Sequence, residues 1–289
     1  LAPAGHPPPQ HAALRSAWTS FVEAFRTLDP VAIYTTSATL AEVLRTVNPT
    51  TYPAHSRLAL EVVYNRFAPF RITQWIYLLA IVGLVGGCVG SARWLGARAR
   101  SLGLAALVLG VSVHGVGMLM RMVLGGRPPV SNFFETMLWL PFVGVGLALV
   151  FERIAWAHSP RVGHVAAKPG DHGGEAGEAA PLPRGAIGLS AAIIASVMLL
   201  LAEHVPLDSS ISPVVAVLRS PLWLTIHVLT VVASYGALAL AAVLAHGYGI
   251  VYLARHGATS TLASLEVAVY RTTQVGVVLL TGGIMLGAV

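Results

Sequence analysis

The chain has 289 residues, of which 55% are hydrophobic and only 10% charged. Soluble globular domains carry about 25% charged residues, so this composition excludes an ordinary soluble enzyme and points to a membrane protein. The net charge of +6 comes largely from arginines in short loops beside apolar runs. That is a topology signal rather than a nucleic-acid footprint, and no nucleic-acid partner is expected.

Residues 1–71 differ in kind from the rest and read as an extracytoplasmic amphipathic helical segment. Pro3, Pro7, Pro8 and Pro9 make the start look like a linker. Trp18, Phe21, Val22 and Phe25, then Leu40, Val43, Leu44 and Val47, then Leu58, Val62 and Val63 recur at helical spacing. Asp29-Pro30 reads as an N-cap followed by proline at the first helical position. These short helices are expected to lie on membrane lipid or on another domain.

Residues 72–289 hold the apolar runs. A membrane span needs about 20 predominantly apolar residues, and six stretches approach or exceed that: Thr73–Ala92, Leu102–Leu124, Phe133–Phe151, Ala186–Ala202, Leu222–Ala254 and Thr272–Val289. The fold class is therefore all-α, a polytopic transmembrane helix bundle with a short extramembrane N-terminal segment. Positive loops stay in the cytoplasm. That places Arg93, Arg98, Arg100, Arg153, Arg161, Lys168, Arg184, Arg255 and Arg271 inside, and the loops Gly125–Asn132 and Glu203–Pro221 outside. Arg127 and Arg219 are the exceptions. The loop Ala157–Gly185 contains His158, His164 and His172, but its glycine-rich surroundings fix no ligand geometry, and it reads as a flexible cytoplasmic linker. Cys88, the single cysteine, reads as a small buried residue. The start at Leu1 and the stop at Val289 within an apolar run suggest a segment of a longer protein.

Histidines inside membrane segments are costly and often functional. His227 sits about one turn inside the outer end of the fifth span, on the helix face of Trp223 and Tyr235. An imidazole with aromatic neighbours there suits axial ligation of haem iron; a hydrogen bond to a neighbouring helix is the other reading. His114, flanked by Gly110, Gly115 and Gly117, suits close helix packing, and His246 suits a structural or snorkelling role. In the outer loop Arg121–Glu135, Ser131 or Asn132 is placed to cap the next helix, and Glu135 to reach back to that cap. Arg121 and Arg127 are placed to meet carboxylates, either the propionates of a haem or Glu135 itself.

Two stretches carry a family resemblance. Arg127-Pro-Pro-Val-Ser-Asn-Phe-Phe-Glu-Thr-Met-Leu-Trp139, and Ser220-Pro-Leu-Trp-Leu-Thr-Ile-His-Val228 through Ser234-Tyr235, resemble the CcsA (ResC) family of System II cytochrome c biogenesis. Tyr64 to Phe70 resembles the approach to the CcsA part in fused forms, and the similarity covers Tyr64 to Val289. The resemblance implies a haem-handling protein of the bacterial cytoplasmic membrane. With a ResB-type subunit or fused domain it would form a holocytochrome c synthase (haem lyase). It would bind haem b as substrate, export it, and present it outside to the Cys-x-x-Cys-His motif of apocytochrome c. By the same resemblance His227 matches the first outward-facing metal ligand of the family, with Trp223, Tyr235, Arg127 and Glu135 beside it as candidate haem-binding residues. The tryptophan-rich haem segment (WWD) and the remaining ligand histidines would follow Val289. No residue of the chain is expected to be a catalytic nucleophile, because the thiols belong to the apocytochrome. The alternatives are a CcmF- or CcmC-type haem protein, a transporter, and a purely structural membrane subunit.

Overall fold

The computed structural model describes residues 8–49, 52–89, 93–157, 184–211, 222–255 and 260–288. All the regular structure among them is helical: α1 (Pro8–Thr27), α2 (Pro30–Val47), α3 (His55–Phe67), α4 (Pro69–Val89), α5 (Arg93–Gly125), α6 (Phe133–Ala157), α7 (Ala186–His204), α8 (Leu222–Arg255) and α9 (Ser260–Gly287). The chain divides into two compact units, Leu1–Val62 and Val63–Val289.

In the first unit α1 packs on α2. The first helix begins at Pro8, inside the stretch expected to be linker; proline is tolerated in a first helical turn, where its missing N–H has no partner to lose. Asp29 caps α2 as its sequence suggests, accepting from Val31 N at 2.9 Å and Ala32 N at 3.2 Å.

In the second unit Ala68, left-handed at φ +43°, separates α3 from α4, which opens on Pro69. Six helical stretches among the described residues are long and apolar enough to cross a membrane, the first taking in α3 as well as α4. The chain is an integral membrane protein. α4 pairs with α5 and α8 with α9, while α7 packs on α4 and α6, and α6 on α8. Tyr77, Leu107, Leu138, Val145, Leu240 and Leu244 are the large side chains at the centre. The α4–α5 pairing is a backbone approach: a Cβ at Gly103 would lie 2.7 Å from Leu84 N and 3.0 Å from Gly83 C. Small residues allow such contacts where lipid supplies no hydrophobic drive. Cys88 departs from expectation, for it is exposed near the end of α4. Both faces of a membrane helix are apolar, so hydrophobicity alone does not tell the lipid face from the packed one. The histidine-bearing loop residues His158, His164 and His172 lie outside the described residues.

The start of α7 is held by the neighbouring helix. Glu152 of α6 accepts from Gly185 N at 3.2 Å, Ile187 N at 3.0 Å and Gly188 N at 3.2 Å. One carboxylate thus satisfies donors that the first turn of a helix leaves without intrahelical partners, and its charge sits at the positive helix end. Glu152→Ala is expected to cost about 1–3 kcal/mol, read as a lower thermal unfolding midpoint in detergent. Glu152→Gln, which keeps one acceptor oxygen, is expected to lose less.

Candidate functional site

The end of the bundle where α4, α6 and α8 begin and α5, α7 and α9 finish carries the candidate residues. Glu135 is the third residue of α6, and Asn132 is the residue that caps this helix, its Oδ1 accepting from Glu135 N at 2.8 Å. In return Glu135 Oε2 accepts from Ser131 N at 2.9 Å. The carboxylate thus reaches back past the cap to the residue before it, a shifted form of the reciprocal cap that the spacing suggests.

Around that cap sits a buried charge cluster. Arg121 donates from an Nη to Glu135 Oε1 at 3.1 Å, and Arg127 to Oε2 at 2.9 Å, with the three side chains 2%, 11% and 4% exposed respectively. Arg121 also donates to Tyr64 Oη at 3.2 Å and Ser209 O at 3.1 Å, and lies 4.9 Å over the Phe134 ring. Asn132 Nδ2 donates to Asp208 O at 3.2 Å. The loop after α7 is thereby tied to the α5–α6 hairpin. Hydrogen bonds from the side chain and backbone of Ser210 hold the Asp208 carboxyl below the usual carboxylate range. Of the two readings of the arginines, the geometry realises the pairing with Glu135. The contributions of Tyr64 and Ser209, 57 and 88 residues away from Arg121, carry no local signal in the sequence.

His227 lies in the second turn of α8, half-buried against α9. Its Nδ1 lies 2.5 Å from the carbonyl oxygen of Gly283 on α9, which is the hydrogen bond to a neighbouring helix that the sequence offers as the other reading of this residue. A carbonyl can only accept, so Nδ1 carries the proton, and the neutral ring keeps its lone pair on Nε2. The ring rests against Gly287: a Cβ there would come within 2.5 Å of Cε1, 2.6 Å of Nδ1 and 3.0 Å of Nε2. Two glycines one turn apart on α9 therefore supply the anchor and the space. The sequence offers them only as small residues in an apolar run.

The other sequence candidates are dispersed. Tyr235 is two turns further along α8 and 47% exposed. Trp223 is on the same helix, its side chain outside the described residues. Trp139 of α6 reaches α8, donating to Leu229 O at 3.3 Å. His114 is fully buried in the packed centre, with its Nδ1 3.3 Å from Tyr77 Oη and its ring between Phe70 and Phe142, each centroid 5.5 Å away. His246 is exposed, its Nδ1 2.7 Å from Ala242 O on its own helix. No group of three or more His, Cys, Asp or Glu among the described residues is arranged to hold a metal ion.

Comparison with known proteins bears on this end of the bundle. A family model described as Cytochrome C assembly protein matches residues 181–289, the stretch that contains His227, Gly283 and Gly287. Protein NrfI of Wolinella succinogenes is 29% identical over 189 residues, which cover 64% of this chain and 17% of that protein. The chain thus spans well under two thirds of the relative it matches. Residues 181–289 are thus similar to the cytochrome c assembly family.

Proposed function

We propose that the chain binds haem at the His227 end, on the outer face of the bacterial cytoplasmic membrane, and presents it for covalent attachment to apocytochrome c. The observation that carries this reading is the state of His227 itself. Histidines that ligate metals almost always donate their other ring N–H to a carbonyl, carboxylate or water, which fixes the tautomer and raises the basicity of the ligating nitrogen. Here the Gly283 carbonyl accepts from Nδ1 and Nε2 keeps the lone pair. The position of the ring inside the family match adds to the case. Haem is the substrate, and the finer assignment follows the CcsA branch of the family. Arg127 and Glu135 act on it indirectly in this reading, as the cluster that shapes the outer surface, while Trp223 and Tyr235 flank His227 along α8.

The chemistry asks little of the protein in the way of bond-making groups. Each cysteine thiol of the apocytochrome adds across a haem vinyl double bond, sulfur bonding to the inner carbon and hydrogen to the outer. Nothing leaves and no net oxidation occurs. The protein's task is to hold the ring in one orientation while the histidine of the Cys-x-x-Cys-His motif takes an axial position. A ResB-type partner or fused domain completes the proposed synthase.

Co-expression of the full-length protein with an apocytochrome c reporter tests this reading. His227→Ala is expected to cut covalent haem attachment by at least about tenfold, with partial recovery when imidazole is supplied. Attachment at the unmodified level in the variant would remove His227 from the reaction.

A further inference from the structure

We infer that the open face of α9 is a docking surface for a transmembrane helix of a partner protein, one that carries a carboxylate level with Arg271 and a cationic side chain level with Glu266. The inference rests on the membrane-spanning fold and not on the haem reading. α9 is the least enclosed of the six candidate spans: 17% of its apolar window is buried, against 33–56% in the other five. Val267, Arg271, Gln274, Val278, Thr281 and Met285 recur along it at alternating steps of four and three residues, and all six are exposed. Alternation of that kind keeps one stripe of a helix turned toward a second helix, as in coiled coils and in most membrane bundles.

Three features of this face select the occupant. First, Gln274 argues against lipid, because it is exposed midway along α9. Hydrocarbon offers an amide no hydrogen bond, and glutamines in membrane helices bond across to a neighbouring helix. Second, charge argues against another copy of this chain. Two copies in one membrane share an orientation, so a two-fold contact through α9 would set Arg271 against Arg271 and Glu266 against Glu266. Like charges so placed repel, whereas a partner with the opposite pattern turns both into attractions. Third, a recess of about 580 Å³ opens between α8 and α9, with Tyr248, Glu266, Tyr270 and Thr273 in its lining. Two tyrosine rings and a carboxylate suit an arginine or lysine side chain, which an aromatic face and an anion both attract. Ionisable residues within membrane segments face protein or water rather than lipid and pair with one another. Glu266 and Arg271 are exposed, and a docked helix of this chemistry would cover both.

Site-specific photo-cross-linking of the full-length protein in its native membrane tests the assignment. A benzophenone amino acid in place of Val278 leaves the polar residues of the stripe intact. One in place of Leu79 of α4, itself 63% exposed, is the lipid-facing comparison. The probe at Val278 is expected to give a discrete adduct and the probe at Leu79 none. Peptide mapping should place that adduct on a transmembrane helix of another protein, with an acidic residue level with Arg271. Arg271→Glu should lower the yield several-fold, and reversing the mapped acid to lysine should restore it. Gln274→Leu, which lipid tolerates, should also lower the yield while the protein unfolds at the parent's temperature. His227→Ala should leave the yield unchanged, so failure here and failure of the haem reading are separate results. An adduct with a second copy, with another stretch of the same polypeptide or with lipid alone would overturn the inference. So would the absence of any adduct, or a yield that neither Arg271→Glu nor Gln274→Leu changes.

Discussion

Glu135→Ala is expected to destabilise the protein by about 3–5 kcal/mol, the cost of breaking a buried ion pair from one side. The carboxylate sits between two guanidiniums, and the side chains of Arg121 and Glu135 are only 2% and 4% exposed. Removing it strands two like charges beside one another, one of them wholly enclosed, and frees the Ser131 amide as well. Glu135→Gln keeps an acceptor for one arginine and should fall between the variant and the parent. Glu135→Leu combined with Arg121→Met removes the more enclosed of the two stranded charges, leaving only Arg127, and should recover part of the loss, since apolar replacement of a buried pair is often neutral. Thermal unfolding in detergent reads all three. An alanine variant as stable as the parent would mean that water reaches the cluster.

The second large effect is expected at a residue with no side chain. Gly287→Ala places a Cβ within 2.5 Å of the His227 ring, and the ring must leave its seat on α9. Loss of such orienting contacts typically costs 10–100-fold in metal affinity, so haem retention at His227 is expected to fall by about that factor. Gly282→Ala is the control, because a Cβ there would meet nothing within 4 Å and retention should be unchanged. Equal behaviour of the two variants would show that the α8–α9 contact does not orient His227.

How much of this was legible in the sequence depends on distance along the chain. The caps at Asp29 and Asn132, and the pairing of Glu135 with Arg127, are short-range consequences of residue type and helical spacing. The six long apolar helices are equally local, since hydrocarbon thickness sets their length. What escaped is interhelical. Glu152 caps a helix whose capped amides lie 33 to 36 residues further on, and His227 finds its carbonyl 56 residues away. Such contacts depend on which face of each apolar helix turns inward, and a span that is apolar all round does not state that in its pattern. Cys88 was misplaced for this reason, and His114 could be assigned to packing only because three glycines flank it. The charge cluster was half legible: the sequence brought Arg121, Arg127 and Glu135 together, while Tyr64, Phe134 and Ser209 entered only through the fold.

The central claim is that Nε2 of His227 is an axial ligand to haem. The most direct measurement is the visible absorption spectrum of the purified full-length protein and its His227→Ala variant, reduced, with and without added imidazole. The account predicts a haem band in the parent, a shifted or diminished band in the variant, and restoration of the parent band by imidazole filling the vacated position. A variant spectrum identical to the parent's, unaffected by imidazole, would contradict it.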